Sequence, residues 1–135
     1  MATPDTRTKS RKPMISIIVI VAIILLFVGL INVMPKGFKT THEEIGQGIP
    51  AMVFVYDPNL TVSNSQTEQM NAARAELGDE ALFLLARVGS PDGQKFMSQY
   101  RAGSAEILVF DANGELIKRH YAVTDAGQLV QWLTL

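Results

Sequence analysis

The side chains that do chemistry in proteins are sparse along these 135 residues, and cysteine is missing altogether. Without a thiol the chain has no nucleophile for disulfide exchange or thiol peroxidase chemistry, and no thiolate to hold a metal. The two histidines, His42 and His120, are far apart in the chain and outside any ligand cluster, so no metal site is expected. Ser63 and Ser65 lack the Gly-x-Ser-x-Gly elbow of a hydrolase nucleophile, and helix capping accounts for Ser65. Neither a P-loop nor a dinucleotide fingerprint occurs. What remains is the polar stretch Asn59 to Asn64 ahead of a helix. Free N–H groups at a helix start can hold an anion or a carboxylate, and Asn59, Thr61, Ser63 and Asn64 would line such a place. An ordinary capped turn explains the same residues. Asn59-Leu60-Thr61 also fits the glycosylation acceptor pattern, which matters only in a eukaryotic host. The expectation is a protein with no catalytic constellation and no cofactor.

Hydropathy divides the chain sharply. No charged residue occurs between Lys12 and Lys36, and Met14–Met34 is apolar on every face. About 20 such residues cross the roughly 30 Å of a bilayer core, so a single transmembrane helix is expected over 14–34. A cleaved signal peptide shares the basic start, but its apolar region is shorter and ends at a small-x-small site. Residues 1–13 form a basic tail with four Lys/Arg and one Asp, a formal +3. Everything from Lys36 onward carries eight Lys/Arg and twelve Asp/Glu, a formal −4. Positive flanks stay in the cytoplasm, which predicts a cytoplasmic N-terminus and a C-terminal domain in the periplasm or outside the cell. With no basic cluster beyond the tail, nucleic acid is not an expected partner; the lipid bilayer is.

The elements that must position the polar stretch follow a polar linker, 35–49. Ala51–Tyr56 is a short apolar run and predicts a strand buried on both faces. Ser65-x-x-Glu68 reads as a capping box opening a helix that runs to Leu77 and stops at Gly78. Ala81–Val88 is a second buried strand. Ser90-Pro91-Asp92 caps a short helix to about Tyr100. Glu106–Asp111 and Glu115–Tyr121 flank Ala112-Asn113-Gly114, a hairpin signal, and the charged second arm suits an edge strand. Asp125-x-x-Gln128 caps a closing helix with Leu129, Trp132 and Leu133 on one face. Phe54, Phe83, Phe110 and Trp132 belong to the core, with Met52, Met70 and Met97 filling gaps. Right-handed crossovers make the first two strands parallel, giving an α/β domain at 50–135 with a small mixed sheet and helices on both faces.

That order, together with Ile107-Leu108-Val109-Phe110-Asp111-Ala112-Asn113-Gly114-Glu115 and the terminal helix over Thr124–Leu133, resembles the thioredoxin-like superfamily from about Gly48 to Leu135. The resemblance implies a redox pair, Cys-x-x-Cys, between the first domain strand and its helix, facing a cis-proline just before the third strand. Here Asn59–Gln66 fills the first place and Gly103-Ser104-Ala105-Glu106 the second, so both cysteines and the proline are absent. The expected reading is a membrane-anchored thioredoxin-like fold without thiol chemistry, serving as an accessory, assembly or interaction subunit of a larger membrane protein complex. The alternative is a periplasmic binding module for a peptide or small anion that uses the degenerate loop, with Asn59, Thr61, Ser63, Asn64, Ser104 and Ala105 as its residues.

Overall fold

The structure, a computed structural model, describes residues 12–33 and 37–135. The expected basic tail up to Arg11, and Met34–Lys36, lie outside the described residues. Two units result, divided between Lys36 and Gly37.

The first is a single helix, α1 (Lys12–Val33). Its 22 residues are about 33 Å long at 1.5 Å per residue, and no described side chain on it is buried in the protein. It has the length and composition of a membrane anchor or of a signal sequence. Near its end Asn32 folds its amide back onto the Val28 carbonyl (2.8 Å), which keeps the side chain's N–H from being left unpaired.

The second unit is built on β1 (Ala51–Tyr56), whose first five residues are buried. It is followed by α2 (Thr61–Leu77), a single 3-10 turn over Gly78–Glu80, β2 (Leu82–Arg87), α3 (Pro91–Tyr100), β3 (Glu106–Phe110), β4 (Leu116–Tyr121) and α4 (Ala126–Leu133). The sheet order is β2-β1-β3-β4, with β1 parallel to β2 and antiparallel to β3, and β4 antiparallel to β3. Alternation along the strands sends Met52, Phe54, Phe83, Ile107 and Val109 to one face, where α2 and α4 cover them with Met70, Ala73, Leu129, Trp132 and Leu133. Val53, Val55, Leu84, Ala86, Leu108 and Phe110 point to the other face, under Phe96 of α3. The expected layers and the expected core aromatics are found, and Met97 is only partly buried, at the margin.

Helix ends follow local chemistry where the sequence offers it. Ser90 Oγ accepts the Gly93 N–H (3.0 Å), and Asp125 Oδ1 accepts the Gln128 N–H (2.9 Å). The start of α2 differs from expectation. The helix opens at Thr61, four residues before Ser65, and its N-cap position, Leu60, makes no side-chain cap bond. Ser65 is an exposed residue of the first turns, and the earlier turn brings the buried Ser63 to the end of β1, where its Oγ accepts the Asp57 N–H.

The stretch expected as linker, 35–49, is from Gly37 onward part of the globular unit. Lys39 bridges to Leu84 in parallel, and its carbonyl accepts the Leu85 N–H (2.9 Å). His42 Nε2 donates to the Leu85 carbonyl (2.9 Å) while its ring packs on Phe96 (4.7 Å). Phe38 lies under the Arg74 guanidinium (4.2 Å), Ile45 packs against the α3-side core, and Gly48 N–H reaches Ala112 O (3.0 Å). This belt covers the free edge of β2, whose sequence Leu82–Ala86 is wholly apolar. The other edge, β4, protects itself with Lys118, Arg119 and a bulge that leaves Ile117 unpaired between Leu116 and Lys118. The belt's polarity makes it read as a linker in the sequence, because its contacts are mostly backbone bonds, two rings (Phe38 and His42) and Ile45.

One glycine has a packing role. A Cβ on Gly93 would overlap the Arg87 carbonyl, so α3 lies directly on the backbone of β2. Gly93→Ala should therefore destabilise the globular unit by about 1–3 kcal/mol, the usual cost of overpacking. An unchanged denaturation midpoint in the full-length variant would contradict this packing.

Candidate functional site

Three loops meet at the end of the sheet where β1 stops. They are the β1–α2 loop (57–60), the α3–β3 loop (101–105) and the β4–α4 loop (122–125). Asp57 is their hub. Its Oδ1 accepts the Asn59 N–H (2.9 Å), its Oδ2 accepts the Ser104 hydroxyl (3.0 Å), and its own N–H donates to Ser63 Oγ (3.1 Å). Ser63 is fully buried, so its hydroxyl serves the chain and faces no ligand. Asn64 Oδ1 accepts the Tyr56 hydroxyl (2.8 Å). Ala105, left-handed at φ +65°, gives its N–H to Val55 O (3.0 Å) and takes the Ala122 N–H on its carbonyl (2.9 Å).

The residues singled out in sequence therefore fall into two groups. Ser63, Ser104 and Ala105 are brought together around Asp57 and β1, and their polar groups are used up inside the fold. Asn59 on the β1–α2 loop, and Thr61 and Asn64 on the first turn of α2, are exposed. Asp57-Pro58-Asn59 reads in sequence as the turn that closes β1, but the bond from Ser104 to Asp57, 47 residues apart, has no local signal. Gln66 was overlooked. Fully buried on α2, it donates from Nε2 to Thr124 O (3.0 Å) and accepts the Thr124 N–H on Oε1 (2.6 Å), tying α2 to the third loop. Nothing local in the sequence marks it, since its partner is 58 residues away.

Exposed apolar residues stand among the polar ones at this end. Leu60 (39% exposed), Tyr121 (61%) and Val123 (51%) stand out at the same end of the sheet. They make up most of the large exposed apolar residues described in the globular unit, the others being Ile117 and Leu135. Among the described residues no group of three His, Cys, Asp or Glu is placed to hold a metal ion. A separate polar cleft of about 280 Å³ lies between the belt and α3, lined by Thr41, His42, Glu43, Asp92, Lys95, Phe96 and Gln99.

Behind the α3–β3 loop sits the described ion pair with a buried member. Glu106, with only 6% of its side chain exposed, meets Arg119 Nε at 2.6 Å and accepts the Gly103 N–H on its other oxygen (2.9 Å). Burial pushes the Glu106 carboxyl up, but the hydrogen bonds from Arg119 and Gly103, with the guanidinium charge, outweigh it and hold Glu106 below the usual carboxylate range. The hydrogen bond to Glu106 raises Arg119 in turn, against desolvation.

No protein-family model and no curated protein matches the chain. Solved structures do. A thioredoxin-like protein from Clostridium perfringens is similar at a TM-score of 0.63, with 14% identity over 70% of this chain and 76% of that one. Trxlp from Edwardsiella tarda EIB202 gives 0.60, with 15% identity over 72% and 98%. Thioredoxin-2 of the malaria parasite gives 0.61, with 9% identity over 75% and 97%. The globular unit thus has a thioredoxin-like fold, as the sequence resemblance implied. It carries that fold without a single cysteine, so thiol–disulfide exchange has no nucleophile in this chain.

Two predictions follow from the geometry. Ser63→Ala should cost about 1–2 kcal/mol, since it leaves the Asp57 N–H without its partner, whereas Ser65→Ala should stay within about 0.5 kcal/mol. Equal effects in urea titrations would contradict the assignment. The second concerns acid. Folded Glu106 holds its proton less tightly than the unfolded chain does, so its stabilisation is complete above the ordinary carboxylate range. It fades as pH falls through that range and then through the lower folded value. Glu106→Gln should lose about 1–2 kcal/mol at neutral pH, a figure reduced for the 39% exposure of the Arg119 side chain, and should flatten the acid limb of stability against pH. An acid limb identical to wild type would refute it.

Proposed function

We propose that this chain is a non-catalytic, membrane-anchored protein of thioredoxin-like fold that acts by contact, as an accessory or assembly subunit of a larger membrane protein complex. The observation that carries this reading is the state of the three-loop end. Groups that would otherwise meet a substrate are bonded to one another, while Leu60, Tyr121 and Val123 are left facing solvent. Exposed apolar residues on loops fixed by a rigid scaffold are the ingredients of a docking surface.

The anchor supports a partner at the membrane. Only Met34, Pro35 and Lys36 separate Val33 from Gly37, and four peptide links span at most about 15 Å. Charge supports the orientation: the +3 tail on the cytoplasmic side and the −4 remainder across the inner membrane, in the periplasm of a bacterium. Thioredoxin-2, a fold relative, is described as a component of the malaria parasite's protein secretion machinery, which is a precedent for this fold inside a larger assembly.

A second reading, a binding module for a peptide or small anion, is favoured by one feature, the start of α2 without a side-chain cap. Against a peptide stands Ala105, whose backbone groups are both engaged. On that reading, substituting Asn59 and Asn64 removes binding and leaves stability alone.

The deciding experiment is a mild-detergent purification of the full-length protein from its native membrane, with mass spectrometry of what accompanies it. A stoichiometric membrane complex is expected, and the variant Leu60→Ser, Tyr121→Ser, Val123→Ser should lose it with its melting temperature little changed. Recovery of monomer alone, or an undiminished complex with the variant, would sink the proposal.

A further inference from the structure

The α3–β3 loop holds a shape that its residues would not adopt unaided. Arg101 (φ +50°) and Ala105 (φ +65°) are both left-handed without being glycine, a region that costs an ordinary residue about 1–2 kcal/mol. Two such residues in one short loop persist only where their surroundings over-determine them.

Much of that restraint comes from one residue on β4. Arg119 donates from Nε to Glu106 Oε1 (2.6 Å), from Nη1 to Tyr100 O (2.9 Å) and from Nη2 to Arg101 O (3.2 Å). Glu106 passes the restraint on by accepting the Gly103 N–H (2.9 Å). A single planar guanidinium therefore closes the C-terminal end of α3 and, through the carboxylate, the middle of the loop. At its far side the loop gives Ser104 to Asp57 and Ala105 to Val55 and Ala122, which joins it to the three-loop end. The neighbouring Lys118 takes no part, since its ammonium lies over Trp132 on the opposite face of the sheet.

We infer that Arg119 is a positioning residue: acting through Glu106 and the end of α3, it sets the loop that brings Ser104 and Ala105 into place, and so governs docking at the three-loop end from the outer strand of the sheet. A lysine cannot substitute. It keeps the charge, but one ammonium lacks the fork that reaches a carboxylate and two carbonyls at once. The effect on docking rests on the contact surface proposed above; the setting of the loop does not.

The test is amide hydrogen exchange on the full-length protein in detergent micelles, comparing wild type, Arg119→Lys and Lys118→Ala. Arg119→Lys should speed exchange at Gly103 and Ala105 by about tenfold or more, with the buried β1 amides unchanged, because only a local opening has become easier. Lys118→Ala should leave both loop amides as in wild type. Unchanged exchange at Gly103 and Ala105 in Arg119→Lys would overturn the inference, as would acceleration matched by the β1 amides, which signals global loss of stability. Arg119→Lys should also recover less partner in the native-membrane purification. Full recovery with a loosened loop would overturn the control of docking. If wild type itself brings no partner, the functional reading fails and the exchange result still decides the loop.

Discussion

Six consecutive apolar residues, Ala51–Tyr56, cannot be hidden by one layer, and their burial on both faces organises the globular unit. A strand in that position needs neighbours on each side for its backbone and a helical layer above and below for its side chains. β2 and β3 supply the first, α2 with α4 and α3 the second. Each later element can be understood as a consequence. Gly93 exists where α3 must come close enough to β2 to seal one face, and Gln66 where α2 must be joined to the loop that launches α4.

The same strand creates the polar problem at its end. β1 stops at Tyr56, and the chain has to turn away while the neighbouring loops also expose backbone groups there. Here Asp57 collects the loose ends, accepting from Asn59 and Ser104 and donating to Ser63, and Ala105 spends its backbone on Val55 and Ala122. No buried side-chain nitrogen or oxygen among the described residues lacks a partner. A fully satisfied network of this kind stabilises a shape, whereas Leu60, Tyr121 and Val123 stay exposed.

The two sheet edges show the same economy by different means. β2 is largely apolar and is closed by the belt, so the segment 37–48 also guards the sheet. β4 is outermost and relies on charge and a bulge, while Arg119 turns inward to hold the α3–β3 loop. Open edges invite pairing with other chains, and the belt removes one of the two.

Much of this was legible in the sequence because it depends on local pattern. The apolar span, the two-faced strands, the Ser90 and Asp125 caps, the stop at Gly78 and the Asn113-Gly114 hairpin each follow from residues a few positions apart, whose periodicity and turn chemistry are set by the backbone. So does the loss of thiol chemistry, which composition decides. The start of α2 at Thr61, the docking of the belt, the Gln66–Thr124 lock and the Glu106–Arg119 pair were decided only by tertiary structure. Their partners come from different elements, and a side chain's role there depends on which buried group lacks a bond once the layers have closed. A capping box is a local preference worth about 1 kcal/mol; the extra first turn instead places the fully buried Ser63 where its hydroxyl accepts the Asp57 N–H.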